Sequence, residues 1–223
     1  MGIEERKHRE KEQRREEIIS AAEQVFAERG ISNSTMDEIA ERAELGKSTL
    51  YLYYKTKEDL VMAVIIRGQQ ILFEKFDELM RTGKSTMVLL ASLAGAYYEF
   101  FRENRTHFRM MYFFENPQLH KQVSEEMMKA CEEKSNCIWG SVIALIQRGI
   151  DEGLIQKNFD PRQVAVIMWS QANALMRQMD REDTYWAESM KIDLEAALKL
   201  SSALILEALM TEEAKAKYPE YVV

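Results

Sequence analysis

The chain has 223 residues, of which 46% are hydrophobic, and a formal net charge of −7. That is enough apolar material for a sizeable core in one compact protein of one or two domains. The acidic total argues against a protein that coats nucleic acid without selectivity, although it leaves room for a local basic face.

Residues 3–17 form a charge run in which Arg6, Lys7, Arg9, Lys11, Arg14 and Arg15 are set among glutamates. Acids and bases mixed at helical spacing favour a solvated extension of the first helix, laced by i,i+4 ion pairs, over a basic arm that enters a nucleic-acid groove. From Ile18 the pattern becomes amphipathic. Ile18, Ala22, Val25 and Phe26 share one stripe, and Gly30 supplies the C-cap.

Thr35 followed three residues later by Glu38 reads as a capping box, each side chain satisfying a backbone N–H that the helix leaves unpaired. It opens a short helix with Ile39, Ala40 and Ala43 on one face. Glu44-Leu45-Gly46 interrupts the pattern, and Lys47 to Tyr54 resumes it with Leu50 and Tyr54 spaced toward the same core. Two helices this short bury too little surface to stand alone, so the first helix must cover their back. Their remaining face carries Lys47, Ser48, Thr49, Tyr51 and Tyr53: cation, hydroxyl and aromatic groups able to meet phosphates, base edges and thymine methyls.

Thr56 with Asp59 marks the next helix start, of capping-box type. This helix carries Leu60, Ala63, Val64, Ile71 and Phe76 before Thr82-Gly83 breaks it. Ser85 to Asn116 is rich in aromatics, with Tyr97, Tyr98, Phe100, Phe101, Phe108, Tyr112, Phe113 and Phe114 beside Met110 and Met111. It reads as two helices broken near Asn104 and stopped by Asn116-Pro117. Any one of these aromatics is better explained as core. As a cluster with adaptable methionines they suggest an apolar pocket.

A long helix is expected from about Leu119 to Ile150, closed by Gly153, and Asp160-Pro161 opens the next as N-cap and first helical residue. There Val164 to Trp169 are apolar in succession, so that helix should be covered on more than one side. A last helix is expected from roughly Ser189 to Met210, and Thr211 to Val223 as a polar, partly frayed tail.

Three prolines, nine glycines and no alternating strand pattern make the expected fold class all-α. No stretch is long and apolar enough for a membrane span, and the charged first residues do not read as a secretory signal. Cys131 and Cys137 fit neither a disulfide framework nor a zinc spacing, and read as reduced helix residues of a cytoplasmic protein. There is no Gly-rich phosphate loop, no His-Glu-x-x-His and no serine elbow, and His8, His107 and His120 are scattered. Neither an enzyme nor a cofactor is expected.

The order Thr35, Ile39-Ala40, Thr49-Leu50-Tyr51, Tyr53-Tyr54 and Lys57-Glu58-Asp59-Leu60 resembles the helix-turn-helix of the tetracycline-repressor (TetR) family. The resemblance is specific over roughly the first quarter of the chain; beyond it only the helix order is compatible. It departs at two positions. Glu44 stands where the family's turn usually has Gly and is therefore expected in a left-handed conformation at small cost. Gly46 stands where the recognition helix usually has a Ser-like cap, and it remains an acceptable one.

The resemblance implies a helix-turn-helix DNA-binding head over 1–60, its charged extension over 1–17, and a helical ligand-binding and dimerisation part over 61–223. Lys47, Ser48, Thr49 and Tyr51 would make base-proximal contacts, and Thr35, Met36, Tyr53 and Lys57 would lie on the same DNA-binding surface, with Thr35, Tyr53 and Lys57 on phosphates. Tyr98, Phe101, Phe108, Met111, Tyr112, Trp139, Trp169 and Asn173 are the candidate effector residues. The expected function is a homodimeric transcriptional repressor that binds a palindromic operator and is released by a small apolar or aromatic molecule. A ligand-independent, DNA-associated helical protein, an architectural or cell-division factor answering to a protein partner, stands as the alternative.

Overall fold

The computed structural model describes residues 2–113, 121–181 and 185–223, and their regular structure is helical apart from an isolated bridge between Ile155 and Met210. The helices are α1 (Ile3–Arg29), α2 (Met36–Arg42), α3 (Lys47–Tyr53), α4 (Lys57–Arg81), α5 (Thr86–Glu103), α6 (Arg105–Phe113), α7 (Glu125–Asp151), α8 (Pro161–Asp180), α9 (Leu194–Leu209) and α10 (Glu212–Lys217). The expected Asn116-Pro117 stop, Phe114, Leu119 and His120 lie outside the described residues.

Two compact units result. The first joins Met1–Gln70 to Thr106–Lys134, and the second joins Ile71–Arg105 to Ser135–Val223. In the first, the expected stripe of α1 is buried with Met36, Ile39 and Ala40 of α2, Leu50 and Tyr54 around α3, Leu60 to Ile65 of α4, Met110 of α6 and Cys131 of α7. Ile18, Ile39, Leu50 and Leu60 are fully buried, each stabilising the head by about 2 kcal/mol relative to an exposed position. The charge run is helical as expected, with ion pairs from Arg6 to Glu10 at 2.7 Å and from Arg14 to Glu17 at 2.6 Å.

In the second unit α5, α8 and α9 pack on one another. Asp160 caps α8 by accepting from the Arg162 N–H at 2.8 Å, with Pro161 in the first position as expected. Gly30, Gly83 and Gly153 all take positive φ, as helix-ending glycines do.

Four expectations need correction. Helix α7 begins at Glu125 rather than near Leu119, because the Asp59 carboxylate of α4 accepts from the Ser124 N–H at 2.8 Å and supplies the helix start from outside its own sequence. For the same reason Asp59 does not reach back in a reciprocal box: its N–H donates to Thr56 Oγ1 at 3.0 Å, while its carboxylate serves α7.

Helix α9 begins at Leu194 rather than Ser189. Tyr185–Ser189 forms a π-turn, Lys191 takes φ 55°, and Asp193 then accepts from the N–H groups of Glu195 and Ala196. Finally, the tail is ordered. Thr211 Oγ1 accepts from the Ala214 N–H to cap α10 and donates to the Gly153 carbonyl at 2.8 Å, while Thr211 N–H donates to the Leu154 carbonyl at 3.0 Å.

Helix α8 is enclosed on one side only. Val164, Ala165, Ala172 and Met176 are buried, whereas Val166, Ile167 and Trp169 are exposed. Leu200 and Leu204 of the neighbouring α9 are exposed as well. No helix among the described residues is long and apolar enough to cross a membrane.

Candidate nucleic-acid interface

The geometry of the α2 and α3 pair follows from its caps and its turn. Thr35 Oγ1 accepts from the Glu38 N–H at 3.2 Å, and Glu38 Oε2 accepts from the Thr35 N–H at 2.9 Å, completing the expected box. The Thr35 backbone and side-chain hydrogen bonds, with Arg29 nearby, hold the Glu38 carboxyl below the usual range. Glu44 takes φ 55°, as expected for a side chain standing in a glycine position. The turn is then closed by Leu45 N–H on the Ala40 carbonyl at 2.9 Å. Gly46 caps α3 in an extended conformation.

Leu50 and Tyr54 anchor α3 to the core, and burial pushes the Tyr54 phenol up to about 12. Seating these two turns Lys47, Ser48 and Leu52 outward, with Lys55 just past the helix, while Thr49, Tyr51 and Tyr53 are half-buried at the rim. Tyr51 and Tyr53 lean on the core with their rings, so their polar ends are the parts available to a partner. Lys47 Nζ pairs with Asp37 of α2 at 2.7 Å, and that hydrogen bond raises the affinity of the ammonium for its proton. Both groups are exposed, so an incoming phosphate competes with Asp37 for Lys47 at little cost.

Two of the expected DNA-binding residues have positions that the sequence did not indicate. Met36, 8% exposed, packs its side chain into the head core. Lys57 Nζ donates to the carbonyls of Ile31 at 2.9 Å and Ser34 at 3.0 Å, pinning the connection between α1 and α2. Lys55, for which the sequence suggested no role, donates to the Tyr51 carbonyl at 3.1 Å. The signal for Leu52 was also available: it is the position on α3 that neither Leu50 nor Tyr54 covers.

The candidate effector residues divide between the units. In the second, Tyr98 donates to Glu195 Oε2 at 2.6 Å, and burial together with that carboxylate raises its phenol above the ordinary value. Asn173 is buried and accepts from the Tyr97 hydroxyl at 3.3 Å. Trp139 and Trp169 meet edge to face at 5.7 Å, and Phe101 is fully buried beneath the Arg105 guanidinium, 4.9 Å from its ring. In the first unit, Phe108 is fully buried and meets Tyr112 in a T-shaped contact at 5.0 Å, with Met111 half-buried beside them in sequence. Among the described residues no cluster of His, Cys, Asp or Glu gathers as metal ligands.

Residues 18–64, which contain the core stripe of α1, the whole α2 and α3 pair and the start of α4, match the family model described as bacterial regulatory proteins, tetR family. Residues 18–64 form a tetR-family segment. The chain is 29% identical over 130 residues to the HTH-type transcriptional activator FasR of Mycolicibacterium smegmatis, a match spanning 58% of each protein. It is 25% identical over 147 residues to the HTH-type transcriptional repressor KstR2 of the same organism, covering 66% of this chain and 70% of that one. Among solved structures it is similar to FadR of Bacillus subtilis in complex with stearoyl-CoA, with a TM-score of 0.66, 20% identity, and coverage of 86% of this chain and 98% of that one. PfmR of Thermus thermophilus gives a TM-score of 0.65 at 19% identity, covering 85% and 96%. The likeness of fold therefore extends well beyond the head.

Proposed function

We propose that the protein is a homodimeric transcriptional repressor whose α3 helices enter successive major grooves of a palindromic operator and whose hold on DNA is released by an apolar ligand. The observation that carries this reading is the α2 and α3 pair. Its buried Leu50 and Tyr54 turn Lys47 and Ser48 outward and leave Thr49 and Tyr51 half-buried at the rim beside them, within the segment that matches the family model. A two-fold dimer sets two such helices about 34–36 Å apart, one turn of the duplex. Thr35, Tyr53 and Lys57 hold phosphates and fix register, while the α3 side chains read bases.

The second copy docks on α8 and α9, where Val166, Ile167, Trp169, Leu200 and Leu204 are left exposed by this chain's own packing. The effector is apolar, received by the aromatic residues that follow α4, and a long-chain acyl thioester is the first candidate because FadR is held in complex with stearoyl-CoA. Release requires that the ligand favour one of two states. Helix α4, continuous from Lys57 to Arg81, is the element through which that preference reaches α3. On this reading residues 1–60 act as the DNA-binding head and 61–223 as the ligand-binding and dimerisation part.

The test is selection of the full chain's binding sequence from random DNA, followed by titration with stearoyl-CoA. A palindrome with half-sites one turn apart, and affinity that falls as the thioester is added, support the reading. Selected sequences without two-fold symmetry contradict the dimer, and affinity indifferent to a panel of apolar compounds contradicts release by a ligand.

A further inference from the structure

Leu52 is 75% exposed in the middle of α3, and among the described side chains of the first unit it is the large apolar group left in solvent. An exposed leucine is ordinary by itself. This one stands four residues after the exposed Ser48, so the two side chains form one line along α3 opposite the anchors Leu50 and Tyr54. Polar groups along that line suit phosphates and base edges. A branched aliphatic group suits neither, and the one apolar feature displayed in a major groove is the thymine C5-methyl.

The surrounding contacts hold Leu52 in place. The C-terminal end of α3 is fixed where Tyr54 N–H donates to the Leu50 carbonyl at 3.0 Å and where Lys55 Nζ covers the Tyr51 carbonyl at 3.1 Å. The helix around Leu52 thus has a settled backbone, and the Lys55 ammonium beyond it is turned onto a carbonyl of the helix. We infer that Leu52 is a specificity-determining residue that selects a thymine in each half-site through contact with its methyl group. The inference rests on the DNA-binding reading above and adds to it a base preference carried by a side chain with no hydrogen-bonding group.

Deoxyuridine in place of thymidine removes that methyl and keeps the base pair. Each thymine of a selected operator is replaced in turn, in one half-site, and binding is compared for the full wild-type chain and Leu52→Ala. Being exposed, Leu52 is expected to be dispensable for folding, so the helical circular dichroism and melting of the variant should match the wild type. The expected result is one thymine per half-site whose replacement weakens the wild type about fourfold, the worth of one buried methyl-sized group, and leaves Leu52→Ala unaffected. Equal sensitivity of both proteins at every thymine, or insensitivity of the wild type at all of them, overturns the inference while leaving operator binding intact. Failure of the wild type to select any DNA overturns the DNA-binding reading itself, and the inference with it.

Discussion

The Nε2 atom of His107 in α6 lies 2.9 Å from Glu23 Oε1 in α1, and the same carboxylate oxygen accepts from Arg67 of α4 at 2.9 Å. Arg67 also donates to Ser20 Oγ at 3.0 Å and pairs with Glu16, so three helices of the first unit meet at one half-buried set of charges. Burial pushes the Glu23 carboxyl up, but the hydrogen bonds from His107 and Arg67 outweigh it and hold the group below its ordinary value of 4.5. A carboxyl whose folded value is depressed stabilises the fold above its unfolded value, and that stabilisation is lost as pH falls through the folded one. Glu23→Gln is therefore expected to cost about 2 kcal/mol at pH 7. The difference in Tm from wild type should narrow as pH drops below 4.5, and a constant difference from pH 7 to acid would place the cost elsewhere.

The same helices give a packing prediction. A Cβ on Gly68 of α4 would lie 2.9 Å from the Cβ of His107 and 3.2 Å from its ring. The Cβ atom cannot swing aside as a side-chain tip can, so α4 and α6 must separate. Gly68→Ala should destabilise by roughly 1–3 kcal/mol, against the gain of about 1 kcal/mol that alanine normally brings to a helix interior. Gly140→Ala in α7 is the control, since nothing lies within 4 Å of its added Cβ. Thermal melts of the two variants should move in opposite directions.

Lys57 has a structural role beside the phosphate contact proposed for it. Its bonds to the Ile31 and Ser34 carbonyls fix the connection leading into α2. Lys57→Ala should therefore lower Tm as well as operator affinity, with loss of about 1.5–3 kcal/mol of stability for hydrogen bonds from a charged group. A phosphate contact adds a fall of about one in the slope of log affinity against log salt. Lost stability with an unchanged slope would leave Lys57 with the structural role.

The exposed side of α8 and α9 predicts the oligomeric state. Ile167→Glu with Leu204→Glu places charges where Val166 and Leu200 are also exposed, and touches none of the buried residues of α8. Sedimentation should show a dimer for the wild type and a monomer for the double variant, with operator affinity falling because one head alone reads one half-site. Monomeric wild-type protein would contradict the proposed pairing.

What could be read from the sequence was set by how local its causes are. The Thr35 and Glu38 box, the Gly30 stop, the Asp160-Pro161 start and the anchors Leu50 and Tyr54 each depend on residues within a turn or two, and each stands in the structure as expected. The start of α7 depends on Asp59, far away in sequence, and no local pattern announces it. The partners of Lys57 and His107 are likewise distant, so a scan of neighbouring residues sees a cation at a helix start and a solitary histidine. The exposed apolar side of α8 illustrates another limit: an all-round apolar run signals cover without saying whose chain provides it. Asp193 outcompetes Ser189 as a helix start because its carboxylate takes two backbone N–H groups at once, a choice between two plausible caps that only the fold decides.

The central claim is that α3 reads DNA, and the most direct measurement is binding of the purified chain to a DNA fragment from beside its own gene and to a scrambled copy. It is made at two salt concentrations, with Tyr51→Ala alongside. The account predicts tighter binding to the native fragment, an affinity that falls steeply as salt rises, and loss of the preference in the variant. Equal affinity for both fragments, unchanged by Tyr51→Ala, would contradict it.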